Sequence, residues 1–237
     1  MRTVILSFLI LIAVAFPAAA QSDINFDAVK NEGDLITEIP IDLDGDKIPE
    51  KVILKAYCLE KYENEIMSYA GQLIVQKMTG GSYTNLWEGP KIEKSKLYDE
   101  EKFRFIFGQG GMESIELLGD IYGDKVIRLF SPQQKSDVSP TVYRVYAWKD
   151  NKFEFEKTGY LFENEKAAGK IEWQDKSDGK GLWVLYFTKF ESPGKAEAYL
   201  HKYDKKGGGS GGKALLNINK DGLSIIKWIE KLKTDQQ

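Results

Sequence analysis

The chain has 237 residues, 42% of them hydrophobic and 12% aromatic, a composition that excludes a disordered or collagen-like protein. Its 33 basic and 36 acidic residues leave a formal charge of −3, which argues against a nucleic-acid groove, because such a groove needs a basic stripe. One cysteine and one histidine exclude an internal disulfide and His-rich zinc sites, and make most nucleophile–His–acid triads depend on His201.

Met1 and Arg2 form a short positive start, and residues 4–16 are nearly all apolar but too few to span a bilayer comfortably. Pro17 ends that run, and Ala18, Ala19 and Ala20 make a small-residue cleavage site before Gln21. Residues 1–20 are therefore expected to be a signal peptide, and the protein to be secreted or periplasmic with no transmembrane segment left after cleavage. Residues 21–237 are expected to form a single all-β domain. Residues 22–30 are a candidate short helix.

The first strand-like run, 35–41, leads into Asp42-Leu43-Asp44-Gly45-Asp46-Lys47-Ile48-Pro49-Glu50. Acidic side chains at loop positions one, three, five and nine point oxygens to a common centre, the arrangement a hard cation such as Ca²⁺ requires. A strand-like run follows at 51–57, with Cys58 at its end as a small core residue. Residues 71–78 and 83–87 are two further runs, joined by Thr79-Gly80-Gly81-Ser82, where glycine supplies the positive φ of a tight hairpin.

The same order recurs. Runs at 103–107 and 115–118 precede Gly119-Asp120-Ile121-Tyr122-Gly123-Asp124, in which Tyr122 replaces the middle aspartate. This loop reads as shortened, because Lys125-Val126-Ile127 looks like the start of a strand. Residues 141–148, a turn at 149–152 and an alternating run at 153–157 complete a second unit. Gly108 to Gly111 lacks the strand–helix context of a phosphate loop and is expected as a bulge or turn. The third unit is looser: a run at 170–173, a loop with Asp175 and Asp178, runs at 182–188 and 196–203, a glycine-rich turn at 204–213 and a run at 214–219. Units at about 34–88, 103–158 and 170–219 thus each hold about four strands, the size of a propeller blade. Residues 222–233 read as a strand or a terminal amphipathic helix, and a C-terminal capping helix is preferred because Ile225, Trp228, Ile229 and Leu232 share a helical face.

The Asp-x-Asp-Gly-Asp-x-x-x-Glu loop before a strand resembles the calcium-binding repeats of the FG-GAP and VCBS families, also found in integrin α-chain propellers. The resemblance covers residues 42–54 as a motif and 34–219 as a blade-length pattern. It implies a small or incomplete β-propeller with one structural Ca²⁺, held by Asp42, Asp44, Asp46, Glu50 and the main-chain carbonyl of Ile48. The family more often has Asp at the ninth position and Gly where Lys47 stands. An EF-hand fits worse: its twelfth position should be Glu and is Ile53, and a β-run replaces the exiting helix. A solvated acidic turn is the other reading, against which stands the mutual repulsion of three aspartates. The second and third loops are expected as remnants without a metal.

The five tryptophans lie in or beside strands, where core packing is expected over exposed stacking surfaces. The functional expectation is a secreted, non-catalytic binding or interaction module, its partner an unidentified protein or carbohydrate of the cell envelope. A polysaccharide-acting hydrolase using two carboxylates, or a purely structural envelope protein, are the alternatives.

Overall fold

The computed structural model describes residues 29–63, 65–91, 105–107, 115–134, 142–160, 182–203, 209–220 and 222–231. The expected signal peptide, nearly all of the candidate helix at 22–30, the 108–111 glycines and the third acidic loop with Asp175 and Asp178 lie outside the described residues. Among the described residues there is no helix, and so none long and apolar enough to cross a membrane.

The protein is all-β. Strands β1 (Leu35–Ile41), β2 (Glu50–Tyr62), β3 (Glu65–Thr79) and β4 (Ser82–Glu88) form a first antiparallel sheet in sequence order, and β5 (Phe105–Phe107) pairs with β3 beside Gly71. The second sheet is β6 (Leu117–Gly119), β7 (Arg128–Gln134), β8 (Val142–Lys149) and β9 (Lys152–Tyr160). The third is β10 (Leu182–Ser192), β11 (Lys195–Tyr203), β12 (Gly209–Asn219) and β13 (Gly222–Lys231). No sheet closes on itself among the described residues, as expected of incomplete, propeller-like repeats.

The hairpins form where the turn residues tolerate a left-handed backbone. Gly80 and Gly81 (φ 59° and 86°) join β3 to β4, and Asp150 and Asn151 (φ 47° and 59°) join β8 to β9.

The second sheet lies between the other two, because both of its faces are apolar. Leu118, Leu129, Tyr146 and Phe153 pack against Ile39, Val52, Leu54, Leu73 and Val75 of the first sheet. On the other face Leu117, Phe130, Tyr143 and Val145 meet Leu185, Phe187, Ala198 and Leu216 of the third. Aromatic rings cross both interfaces: Trp87 lies 6.0 Å from Phe153, and Phe187 lies 5.6 Å from Tyr143 and 6.2 Å from Phe130. Burying each such side chain is worth about 1.5–3 kcal/mol, so the two interfaces hold the stack together. Trp87 and Trp148 pack on the first core and Trp228 on the second, as core packing requires.

Three sequence expectations are corrected. The C-terminal segment is strand β13, not a helix. Ile225 and Trp228 pair with Leu216 and Ala214, both inward-facing, and a register shift at Leu215/Leu216 absorbs the extra residue between them. A β-bulge thus reproduces the three-residue spacing that resembles a helical face. The glycine-rich turn is shorter than expected, since β12 begins at Gly209. Gly212 is needed in that strand because a Cβ there would stand 2.0 Å from the carbonyl oxygen of Glu230. Cys58 is not in the core: it is half-buried with φ 55° at an irregularity of β2, its N–H donating to Glu32 Oε1 at 3.0 Å. The third sheet runs from Leu182 to Lys231, and a turn at Pro193 and Gly194 joins its first two strands where the other sheets carry acidic loops.

Candidate functional site

The loop at 42–49 connects β1 to β2 at the rim of the first sheet. Leu43 anchors it, 7% exposed in the core shared with the second sheet. The aspartates shape the loop before they can do anything else. Asp42 Oδ1 accepts the Gly45 N–H at 2.7 Å and Oδ2 the Lys47 N–H at 3.0 Å. Asp44 Oδ1 accepts from Asp46 at 3.1 Å, and Asp46 Oδ1 from Ile48 at 2.7 Å. The bonds of Asp44 and Asp46 are Asx turns, and in all four a side chain replaces the backbone partner a strand would supply. Gly45 (φ 84°) and Lys47 (φ 70°) take the left-handed conformations that close the loop, so Lys47 adopts the geometry glycine would find easier.

Glu50 opens β2, and its side chain is 1% exposed. Its Oε2 accepts the Leu43 N–H at 2.8 Å, while its buried Oε1 accepts no hydrogen bond. Carboxylate oxygens of Asp42, Asp44 and Glu50 lie within 4.8 Å of one another, a cluster that can hold a metal ion. The side chain of Ile48 is exposed.

The sequence reading missed Lys77. It stands on β3 beside Gln76, the register partner of Lys51, and so reaches the loop across the sheet. Its ammonium bonds Asp44 Oδ2, lies 2.8 Å from Asp46 Oδ2 and is 3.4 Å from Glu50 Oε1. The bonds to Asp44 and Asp46 raise the Lys77 pKa against the opposing effect of burial. The same bond to Lys77, with the Ile48 N–H, holds Asp46 below its ordinary value.

The second loop, 120–127, is not shortened. Lys125 has φ 69°, matching Lys47, so the backbone is still turning there and β7 starts only at Arg128. The loops correspond position by position, Asp42 with Asp120, Leu43 with Ile121, Asp44 with Tyr122, Asp46 with Asp124 and Glu50 with Arg128. Asp120 accepts the N–H groups of Asp124 at 2.9 Å and Lys125 at 3.0 Å, and Asp124 that of Val126 at 3.2 Å. Ile121 is fully buried in the second core, as Leu43 is buried in the first.

At the ninth position the charge is reversed. The Arg128 side chain is 2% exposed. Its guanidinium grips Asp124 through two bonds (2.6 and 3.0 Å) and Glu156 through two more (2.7 and 3.2 Å). The Tyr122 ring takes the place of the third-position carboxylate and lies 4.4 Å from the guanidinium. Burial pulls the Arg128 pKa down, but the bonds to Glu156 and Asp124 outweigh it and raise it. Asp124 is correspondingly held well below the usual carboxylate range, first by Arg128 and then by Lys220, whose Nζ is 3.0 Å away. Gly194 donates to the Asp120 carbonyl at 3.1 Å, so this loop also ties the second sheet to the third.

The far face of the third sheet is different. Tyr186 and Tyr199 are register partners, 42% and 46% exposed, and Tyr199 is also paired with Lys213, which bonds Glu197. The side chain of His201 lies outside the described residues. No protein-family model, curated protein or solved structure matches the chain.

Proposed function

We propose that the protein is a secreted, non-catalytic binding module of FG-GAP/VCBS type whose first loop is braced by one Ca²⁺. The observation that carries the metal reading is the buried Glu50 Oε1, which accepts no hydrogen bond and faces the same centre as Asp44 Oδ2 and Asp46 Oδ2. Hard carboxylate oxygens with no nitrogen or sulfur donor suit calcium over zinc. Asp42, Asp44, Asp46 and Glu50 would hold the ion, with the Ile48 carbonyl as a further ligand by the family resemblance. The ion's role would be electrostatic, neutralising the carboxylates and stiffening the link between β1 and β2.

The binding reading is supported by Tyr186 and Tyr199, exposed aromatic side chains on paired strands, of the kind that stack on a sugar or pack on a protein of the cell envelope. A groove of about 380 Å³ on the first sheet contains Glu32 and Glu88 and favours the hydrolase as second reading. Both carboxylates there have structural bonds, Glu32 to the Cys58 N–H and Glu88 to the Asn85 side chain, which supports the non-catalytic reading.

Thermal melting with and without calcium tests the site. Calcium at a hundredfold excess over Kd stabilises by about 2.7 kcal/mol, a rise in Tm of roughly 5–10 °C at this size. Asp44→Ala is expected to abolish the rise. A wild-type melt that calcium leaves unchanged removes the metal from the reading.

A further inference from the structure

We infer that Lys77 is the resident cation of the first loop, and that a divalent ion reaches the site only by displacing its ammonium group. The inference rests on the calcium reading above and concerns what sets the affinity of that site.

Three carboxylate oxygens of the loop, one each from Asp44, Asp46 and Glu50, accept no backbone N–H. Backbone N–H groups take both oxygens of Asp42 and one each of Asp44, Asp46 and Glu50. The others are Asp44 Oδ2, Asp46 Oδ2 and Glu50 Oε1, and all three face Lys77 Nζ. An ammonium group has three N–H donors, so the number of donors equals the number of oxygens offered. A metal ion bound by Asp44, Asp46 and Glu50 draws on these same oxygens, and the two cations cannot occupy one centre together.

The fit of the ammonium is uneven, and that leaves room for exchange. Lys77 is bonded to Asp44 and Asp46, but Glu50 Oε1 is 3.4 Å from it and stays without a hydrogen bond inside the protein. A doubly charged ion would satisfy that oxygen better. The Lys77 side chain is 28% exposed on a flexible stem and has solvent to swing into. The second loop carries independent support, for there a side-chain cation, Arg128, neutralises the same backbone from the ninth position. Arg128 is buried and bonded on two sides, whereas Lys77 is only partly enclosed. One loop is therefore closed to exchange and the other is open to it.

An ion that must compete with the ammonium binds with its intrinsic dissociation constant divided by the small fraction of time the cage is free. For a lysine seated about nine-tenths of the time, removing it tightens apparent binding about tenfold. Calorimetric titration of CaCl₂ into the wild type and Lys77→Met tests this. The expected result is binding about tenfold tighter in Lys77→Met, abolished when Asp44→Ala is added. A second measurement uses the wild type alone: the ¹⁵N signal of the bonded Lys77 ammonium is expected to disappear as calcium saturates the site. Equal affinity in wild type and Lys77→Met overturns the displacement while leaving the calcium reading intact. So does a Lys77 signal that persists at saturating calcium, which decides the matter if Lys77→Met does not fold. No binding by either protein, with the fold intact by circular dichroism, removes both the displacement and the calcium reading.

Discussion

Asp42 and Asp120 do the same work in the first and second loops, each drawing two backbone N–H groups onto its carboxylate, yet the ninth position is a buried glutamate in one and a buried arginine in the other. The shape of the loop therefore does not depend on which cation neutralises it. An aspartate at the first position reports a turn, and only the third and ninth positions report whether an ion can bind. In the second loop both have changed together: Tyr122 lies against the guanidinium that stands in Glu50's place. That loop is wedged against the third sheet through Gly194 and Lys220, where a covalently attached charge cannot be lost to solvent. The first loop lies at an exposed rim, and its cation is one that can leave.

The largest expected effect that sharpens this contrast is at Arg128. Arg128→Met leaves Asp124 and Glu156 without their shared cation. The cost is expected near the low end for breaking a buried pair, about 3 kcal/mol, because Asp124 and Glu156 keep 28% and 26% of their side-chain surface in water. Thermal melting should show Tm lowered by roughly 6–12 °C, and calcium should not restore it. A change of under about 2 °C would mean that Arg128 contributes no more than a surface pair.

A smaller difference is expected between Asp120→Ala and Asp42→Ala. Both lose two acceptors for backbone N–H groups, but Asp120 also carries the backbone bond from Gly194 of the third sheet, so about 2 kcal/mol is expected for it and about 1 for Asp42. Urea unfolding of the two variants measures this, and the reverse order would break the assignment of the second loop as the structural one.

The smallest effect is at Glu156. Glu156→Gln keeps the shape and removes one charge from a partly exposed pair, at a cost of about 1 kcal/mol or less at neutral pH. Its bond to Arg128 outweighs burial and holds Glu156 below its ordinary value of 4.5. A lowered folded-state pKa means that this stabilisation is complete above 4.5 and is lost as pH falls through the folded value. The gap between wild type and variant in urea should therefore close in acid. A gap that does not narrow across that window would show that the charge of Glu156 is not what Arg128 uses.

Much of this architecture was legible in the chain because its signals are local. Gly80-Gly81 and Asp150-Asn151 mark hairpins by their tolerance of positive φ, and alternating apolar residues mark the strands between. The acidic loop was legible for the same reason, since its aspartate-to-backbone bonds join residues two to five positions apart. The second loop's true length was not, because Val126 and Ile127 look like strand residues, while the positive φ of Lys125 has no signature in a lysine. Aligning the two loops residue by residue from Asp42 and Asp120 is the signal that would have brought Arg128 opposite Glu50.

The strands, turns and acidic loop follow from side chains acting on the backbone within a few residues. The cations of the two loops and the final strand do not. Lys77 reaches Asp44 only because the β2–β3 register brings it across the sheet, and Glu156 reaches Arg128 from β9, two strands away. β13 is a strand because the free edge of β12 offered it hydrogen bonds and a bulge turned both Ile225 and Trp228 inward. Such partners are chosen by distance in the folded sheet, which the spacing of residues along the chain does not contain.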